Sequence, residues 1–154
     1  TELPKPRKLL IEKVKEHQIP VEFYHDLKHG RDVEIIGKKW LSKEFTETTE
    51  RPFSYAYCTD TRPVFSDNSP LHNCTVLYHD STFASDLEEK AFLTFHSTNV
   101  QAAQLAKYYN VHQLILGHFS SRYVELQPLL QEAKSVFENT VLAIEGTTFQ
   151  ISNH

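Results

Sequence analysis

Four short polar blocks, each set beside a hydrophobic, strand-like run, govern what this chain can fold into. They are Thr59-Asp60-Thr61, His79-Asp80-Ser81-Thr82, His96-Ser97-Thr98 and Gly117-His118-Phe119-Ser120-Ser121-Arg122-Tyr123. Phe53 to Cys58 and Thr75 to Tyr78 read as short strands leading into the first two blocks. Gln113 to Leu116 reads as a buried strand that delivers His118. Asn99 to Tyr109 reads as a helix with Ala102, Ala103 and Ala106 on one side, opened by Ser97 and Thr98 as caps. Val124 to Phe137 is amphipathic and helical. Val141 to Ile144 and Thr147 to Ile151 read as a hairpin around Glu145-Gly146. Strand, polar block and helix in repeated order predict an α/β fold with functional residues at the strand ends.

The first 50 residues follow a different pattern. Leu9 to Glu16 has helical periodicity and stops before Ile19-Pro20, and Val21 to Lys28 adds a short turn before Gly30. Val33 to Ile36 reads as a strand, Gly37-Lys38-Lys39 as a tight turn, and Trp40-Leu41 as the return. Residues 42–52 are polar and read as a connector. Two domains are therefore expected: an arm-like appendage over 1–50, with little core of its own, and an α/β unit over 51–154.

Composition sets the outer bounds. At 154 residues, 40% of them hydrophobic, the chain can build a real core. No apolar run approaches the roughly 20 residues of a membrane helix, so a cytoplasmic, membrane-free protein is expected. The N-terminus lacks a signal-peptide core and an initiator Met, which points to a chain cut from something longer. Cys58 and Cys74 form no CxxC pair and read as buried thiols. A net charge of −4 excludes a broad basic nucleic-acid coat but leaves room for a local phosphate site beside a metal. His17, His25, His29, His72 and His154 sit among polar or turn-forming neighbours and carry no assigned role.

Within the blocks, every candidate competes with an ordinary structural role. Asp60 could be a turn former, or a carboxylate that bridges two divalent ions with Thr59 and Thr61 orienting it. His118 could be a core histidine, or a neutral imidazole ligand on a rigid strand end. Arg122 could make a surface ion pair, or could grip a phosphate oxygen pair, for which a planar guanidinium suits better than lysine. His96 could be a polar cap, or a general acid for a leaving oxygen, with Asp80 or His79 orienting its ring. Together these residues supply most of the inventory of a metal-dependent phosphodiesterase.

Residues 53–151 resemble the C-terminal half of ribonuclease Z, the metallo-β-lactamase-fold endonuclease of tRNA 3′ ends. The carrying segments are Tyr57-Cys58-Thr59-Asp60-Thr61-Arg62-Pro63, Leu77-Tyr78-His79-Asp80-Ser81-Thr82-Phe83, His96-Ser97-Thr98 with Gln101-Ala102-Ala103, and Leu116-Gly117-His118-Phe119-Ser120-Ser121-Arg122-Tyr123. Lys5 to Gly30 resembles the family's flexible arm, especially at Ile19-Pro20 and Leu27-Lys28-His29-Gly30. The resemblance implies the C-terminal half of an αββα four-layer sandwich. By that resemblance Asp60 bridges two zinc ions and His118 is a terminal ligand of one. His96 protonates the leaving ribose oxygen, Asp80 stands where the family has Glu, and Arg122 with Ser120 contacts the RNA phosphate.

Two departures limit what the chain is expected to do. Val21-Glu22 replaces the Pro-Gly-Pro-like turn of the family arm, and the His-x-His-x-Asp-His motif has no counterpart here. That motif supplies most metal ligands and the water-activating base. Asp60 and His118 alone cannot close a tetrahedral zinc site. The resemblance therefore implies a zinc endoribonuclease that removes 3′ trailers from precursor tRNA, with an N-terminal half missing and the isolated chain inactive. A half-fold would expose the inner face of its sheet, so a homodimer is expected. The alternatives are a non-catalytic paralogue that binds tRNA or a protein, and another hydrolase of the same fold, such as an esterase or lactonase.

Overall fold

The computed structural model describes residues 3, 5–49 and 52–151. They form two compact units that divide between Pro52 and Phe53. The expected boundary at 50/51, and His154, lie outside the described residues.

The N-terminal unit is built from very short elements. Strand β1 (Lys8–Leu9) pairs antiparallel with β4 (Thr46–Glu47), and β2 (Val33–Ile35) with β3 (Lys38–Trp40). Between them lie α1 (Ile11–Glu16), a 3-10 turn (Val21–Phe23), α2 (Tyr24–Lys28) and α3 (Ser42–Phe45). The β2–β3 loop is the two-residue step Ile36-Gly37, with φ of 50° and 72° at its two positions. Paired positive φ values match the right-handed twist of a hairpin, which is why glycine closes it.

Two expectations are corrected here. Residues 42–52 are more than a connector, because α3 and β4 form within them; Phe45 turns inward and the Thr46 hydroxyl donates to the Ser42 carbonyl at 2.7 Å. The unit also has its own core: Val14, Ile19, Leu27, Val33 and Phe45 are buried together, with Leu9, Phe23, Tyr24, Ile35 and Trp40 packed around them. Short polar-looking elements hide this core in the sequence, since each contributes only one or two apolar residues to it.

The C-terminal unit is a four-stranded, all-parallel sheet in chain order: β5 (Tyr55–Cys58), β6 (Val76–Asp80), β7 (Gln113–Gly117) and β8 (Thr140–Leu142). Helices α4 (Glu88–Leu93) and α5 (Asn99–Tyr108) lie between β6 and β7, and α6 (Gln127–Val136) lies between β7 and β8. Parallel neighbours need such crossovers, so the α/β layering follows from the connectivity. Ala102, Ala103, Leu105, Ala106, Tyr109 and Ala133 from the helices meet Leu77, Leu114, Leu116 and Leu142 from the strands in one buried cluster. Three alanines bring α5 close to the sheet. On the helix cap, Thr98 accepts from the Gln101 N–H and Gln101 Oε1 accepts from the Thr98 N–H, a reciprocal capping box.

The opposite face of the sheet carries Tyr55 and Tyr57, each more than half exposed, and Tyr78, which stacks on Tyr57 at 4.6 Å. The C-terminal segment lies beside Tyr55, Tyr78 and Ile115, placing Ile144, Phe149 and Ile151 there. The expected hairpin over 141–151 does not form. Thr140–Leu142 pairs in parallel with β7, and 147–151 makes no strand. Gly146, with φ of 78°, turns the chain as expected, but the partner of Val141 is distant in sequence rather than across that turn. Both cysteines are free thiols, Cys74 buried and Cys58 half-buried.

Candidate metal and proton-transfer site

The carboxyl ends of three adjacent parallel strands converge on one point. Asp60 follows β5, Asp80 closes β6 and His118 follows β7, while His96 comes from the loop between α4 and α5. Open α/β sheets bind ligands at this edge, where the loops leave the strands. Asp60 and His118 both occupy the left-handed region, with φ of 49° and 60°. Backbone strain of this kind persists only where its surroundings hold it in place, and it turns both side chains out of their strands.

For His118 the surroundings are visible. The Tyr78 hydroxyl lies against the backbone at Gly117, next to His118, and burial raises the phenol above its ordinary range, aided by Tyr57. A Cβ on Gly117 would lie 2.0 Å from that same hydroxyl, so only glycine admits this contact. The expected close backbone approach at Gly117 is therefore an approach to Tyr78.

Asp80 is completely buried. Its Oδ1 accepts from the Thr82 N–H at 3.0 Å, the Thr82 hydroxyl at 2.8 Å and the Ser97 N–H at 3.2 Å. Its Oδ2 accepts from His96 Nδ1 at 2.8 Å and the Thr61 N–H at 3.3 Å. Burial pushes this carboxyl up, but the bonds from His96, Thr82 and Ser97 outweigh it and hold the group below the ordinary carboxylate range. The carboxylate thus places a proton on His96 Nδ1 and leaves the other ring nitrogen free to face the site. The shorter Asp side chain reaches His96 without difficulty.

His79 plays no part in orienting His96. It lies on the opposite pleat of β6, is almost fully buried, and its Nδ1 meets the Asp80 carbonyl at 2.9 Å. Burial pushes its pKa down, which marks a neutral core histidine. Of the two expected caps, Thr98 caps α5, whereas Ser97 binds Asp80 through its N–H and donates its hydroxyl to the Thr61 carbonyl at 2.7 Å.

The second pair is open. His118 Nε2 and Asp60 Oδ1 lie 3.1 Å apart, with side chains 37% and 66% exposed. Two ligands on bonds of about 2.0–2.1 Å at a tetrahedral angle stand roughly 3.3 Å apart. The spacing and the donor types, one carboxylate and one imidazole, fit zinc. His96 lies alongside, its ring 5.3 Å from that of His118, and the three residues offer donor atoms within 4.8 Å of one another.

Arg122 and Ser120 stand at the rim. Arg122 Nε donates to the Ser120 hydroxyl at 3.0 Å, and its guanidinium lies 5.1 Å from the Phe83 ring, which meets the His96 ring edge-on at 6.1 Å. The residue that sequence reasoning left without a role is Thr82. Its hydroxyl lies within bonding distance of Asp80, of His96 Nδ1 at 3.1 Å and of the His118 carbonyl at 3.0 Å, tying both pairs together. Its place in the His-Asp-Ser-Thr block was the available signal.

No protein-family model matches the chain. Among curated proteins it is 40% identical to the ribonuclease Z of Cytophaga hutchinsonii over 154 residues, 99% of this chain and 49% of that protein. It is 37% identical to the ribonuclease Z of Bacteroides fragilis (94% and 48%) and 39% identical to that of Nostoc (92% and 46%). Among solved structures it is similar to the metallo-β-lactamase fold protein YhfI of Bacillus subtilis, with 26% identity over 50% of this chain and 31% of that one, at a TM-score of 0.46. It is also similar to human tRNase Z, short form, with 27% identity over 53% and 26%, at a TM-score of 0.42. The chain is homologous over practically all of its length to ribonuclease Z, and it spans about half the length of the curated relatives it matches.

Proposed function

We propose that this chain supplies the C-terminal half of a zinc-dependent endoribonuclease that removes 3′ trailers from precursor tRNA. The observation that carries the reading is the Asp80–His96 couple, a buried carboxylate hydrogen-bonded to a half-buried imidazole, beside the open Asp60–His118 pair in a chain homologous to ribonuclease Z. Asp60 and His118 would hold zinc, two ions per complete site, with further ligands and the water-activating base drawn from an N-terminal half. Bound zinc would lower the pKa of a water and polarise a phosphoryl oxygen.

The chain's own residues divide the remaining work. His96, oriented by Asp80 and Thr82, gives a proton from its free ring nitrogen to the departing ribose 3′ oxygen. Arg122, braced by Ser120, holds a phosphate oxygen pair. The N-terminal unit grips the tRNA body, an assignment favoured by Lys5, Arg7, Lys8, Lys13 and Lys15 among few acids. The tyrosine-lined sheet face is where the N-terminal half packs, and the whole protein is a cytoplasmic homodimer. No helix among the described residues is long and apolar enough to cross a membrane. The isolated chain binds zinc poorly and does not turn over.

The test is cleavage of a 3′-extended precursor tRNA by the whole protein, compared with lactone and ester substrates. Cleavage after the discriminator nucleotide with a free 3′ hydroxyl is expected. Turnover of the small substrates alone would assign a different hydrolase of the same fold, and tRNA binding without cleavage would assign a non-catalytic paralogue.

A further inference from the structure

Beside the catalytic groups lies a cluster that nothing in the mechanism above uses. The Arg62 guanidinium sits against two phenylalanine rings, with Cζ 4.0 Å from the centroid of Phe92 and 3.9 Å from that of Phe95. One of its terminal nitrogens donates to the Phe92 carbonyl, while its Nε is buried without a hydrogen-bond partner. A guanidinium that leaves a donor unpaired to lie on two rings is placed by those rings. The rings themselves, Phe92 in the last turn of α4 and Phe95 in the loop that follows, remain 59% and 65% exposed.

The backbone holds Phe95 where it is at a cost. Its φ is 63°, in the left-handed region that bulky residues avoid. The His96 N–H bond to the Ala91 carbonyl, at 2.9 Å, closes the C-terminal turn of α4 around Phe95, and the Ser97 hydroxyl bond to the Thr61 carbonyl fixes the two loops against each other. Phe95 is thereby pinned next to His96, and Arg62 two residues from Asp60.

We infer that Phe95, backed by Arg62 and flanked by Phe92, is a stacking platform for a nucleobase at the cut. The inference rests on the endoribonuclease reading. A rigid aromatic face with a cation behind it suits a flat, electron-rich heterocycle, and stacking accepts any base, as a processing enzyme for many RNAs requires. Its adjacency to His96, the residue assigned to the leaving ribose oxygen, selects the nucleotide on the 5′ side of the cut. Ordering that base aligns its ribose with the His96 ring, so Phe95 is a positioning residue.

The experiment uses the whole protein and precursor tRNAs that carry an abasic ribose immediately 5′ or immediately 3′ of the cut. Phe95→Ala lowers kcat/KM on the natural precursor by roughly 5- to 150-fold, the range for one base–aromatic stack, and Phe95→Tyr restores it. On the 5′-abasic precursor the wild type loses a similar factor and Phe95→Ala loses nothing further, whereas the 3′-abasic precursor slows both proteins equally. Independent, multiplying losses at the 5′ position, or coupling at the 3′ position, would overturn the platform while leaving the nuclease intact. A natural precursor left uncut by the wild type would remove the nuclease reading, and the platform with it.

Discussion

Two aspartate–histidine pairs stand side by side at the strand ends, and they could hardly be built more differently. Asp80 and His96 are locked: the carboxylate is buried, every partner is supplied by residues 61–97, and the ring has one orientation. Asp60 and His118 are partly open to solvent and lie 3.1 Å apart, with the His96 ring stacked beside His118. A group that transfers a proton must be preorganised before the substrate arrives. Metal ligands can converge loosely when the ion and further ligands complete them. On this account the chain carries one half of the chemistry ready-made and the other half waiting for a partner.

That contrast can be broken most sharply by separating activity from metal content in the whole protein. His96→Ala is expected to lower kcat on precursor tRNA by about 10²–10⁴-fold, as for loss of a general acid, with zinc content unchanged. Zinc lost along with the activity would instead make His96 a ligand with Asp60 and His118. His118→Ala should weaken zinc binding by roughly 100-fold or more, beyond the 10–100-fold typical of removing an outer partner, as read by competition with a chelator.

The contrast is sharpened by variants that loosen only the open pair. Gly117→Ala would drive a methyl into the Tyr78 hydroxyl, and a cost of about 1–3 kcal/mol is expected in denaturant unfolding. Tyr78→Phe removes only the hydroxyl that lies against the backbone beside His118, so it should cost about 1 kcal/mol while raising the zinc dissociation constant.

The smallest effect is on pH. Because the folded Asp80 carboxyl lies below its ordinary value, its contribution to stability is fully present above about pH 4, the unfolded carboxylate range. That contribution is lost as pH falls through the depressed folded value. Asp80→Asn should therefore flatten the acid limb of the stability profile. An unchanged acid limb would show that the buried pair contributes nothing to it.

The sequence made some of this legible and hid the rest for physical reasons. Local signals held up where the cause is local: Thr98 with Gln101 starts α5, and Gly117 marks a close approach. The order of polar blocks placed Asp60, Asp80, His96 and His118 together, because parallel strands in chain order deliver their ends to one edge. What escaped depends on distant partners. The strand at Val141 pairs with Ile115 rather than across Gly146, and Phe45 finds its place only against Val14 and Leu27. His79 and Asp80 are neighbours in sequence, yet the pleat sends one into the core and the other to His96. The Arg62–Phe95 contact spans 33 residues, so neither residue announces it alone.

The first measurement should be the zinc content of the protein isolated whole from its native source, taken with its intact mass. A species about twice the size of this chain, as its 49% coverage of a relative implies, carrying about two zinc ions per chain, is the expected result. A native chain of this length alone, free of zinc, would refute the claim that the open Asp60–His118 pair is half of a working metal site.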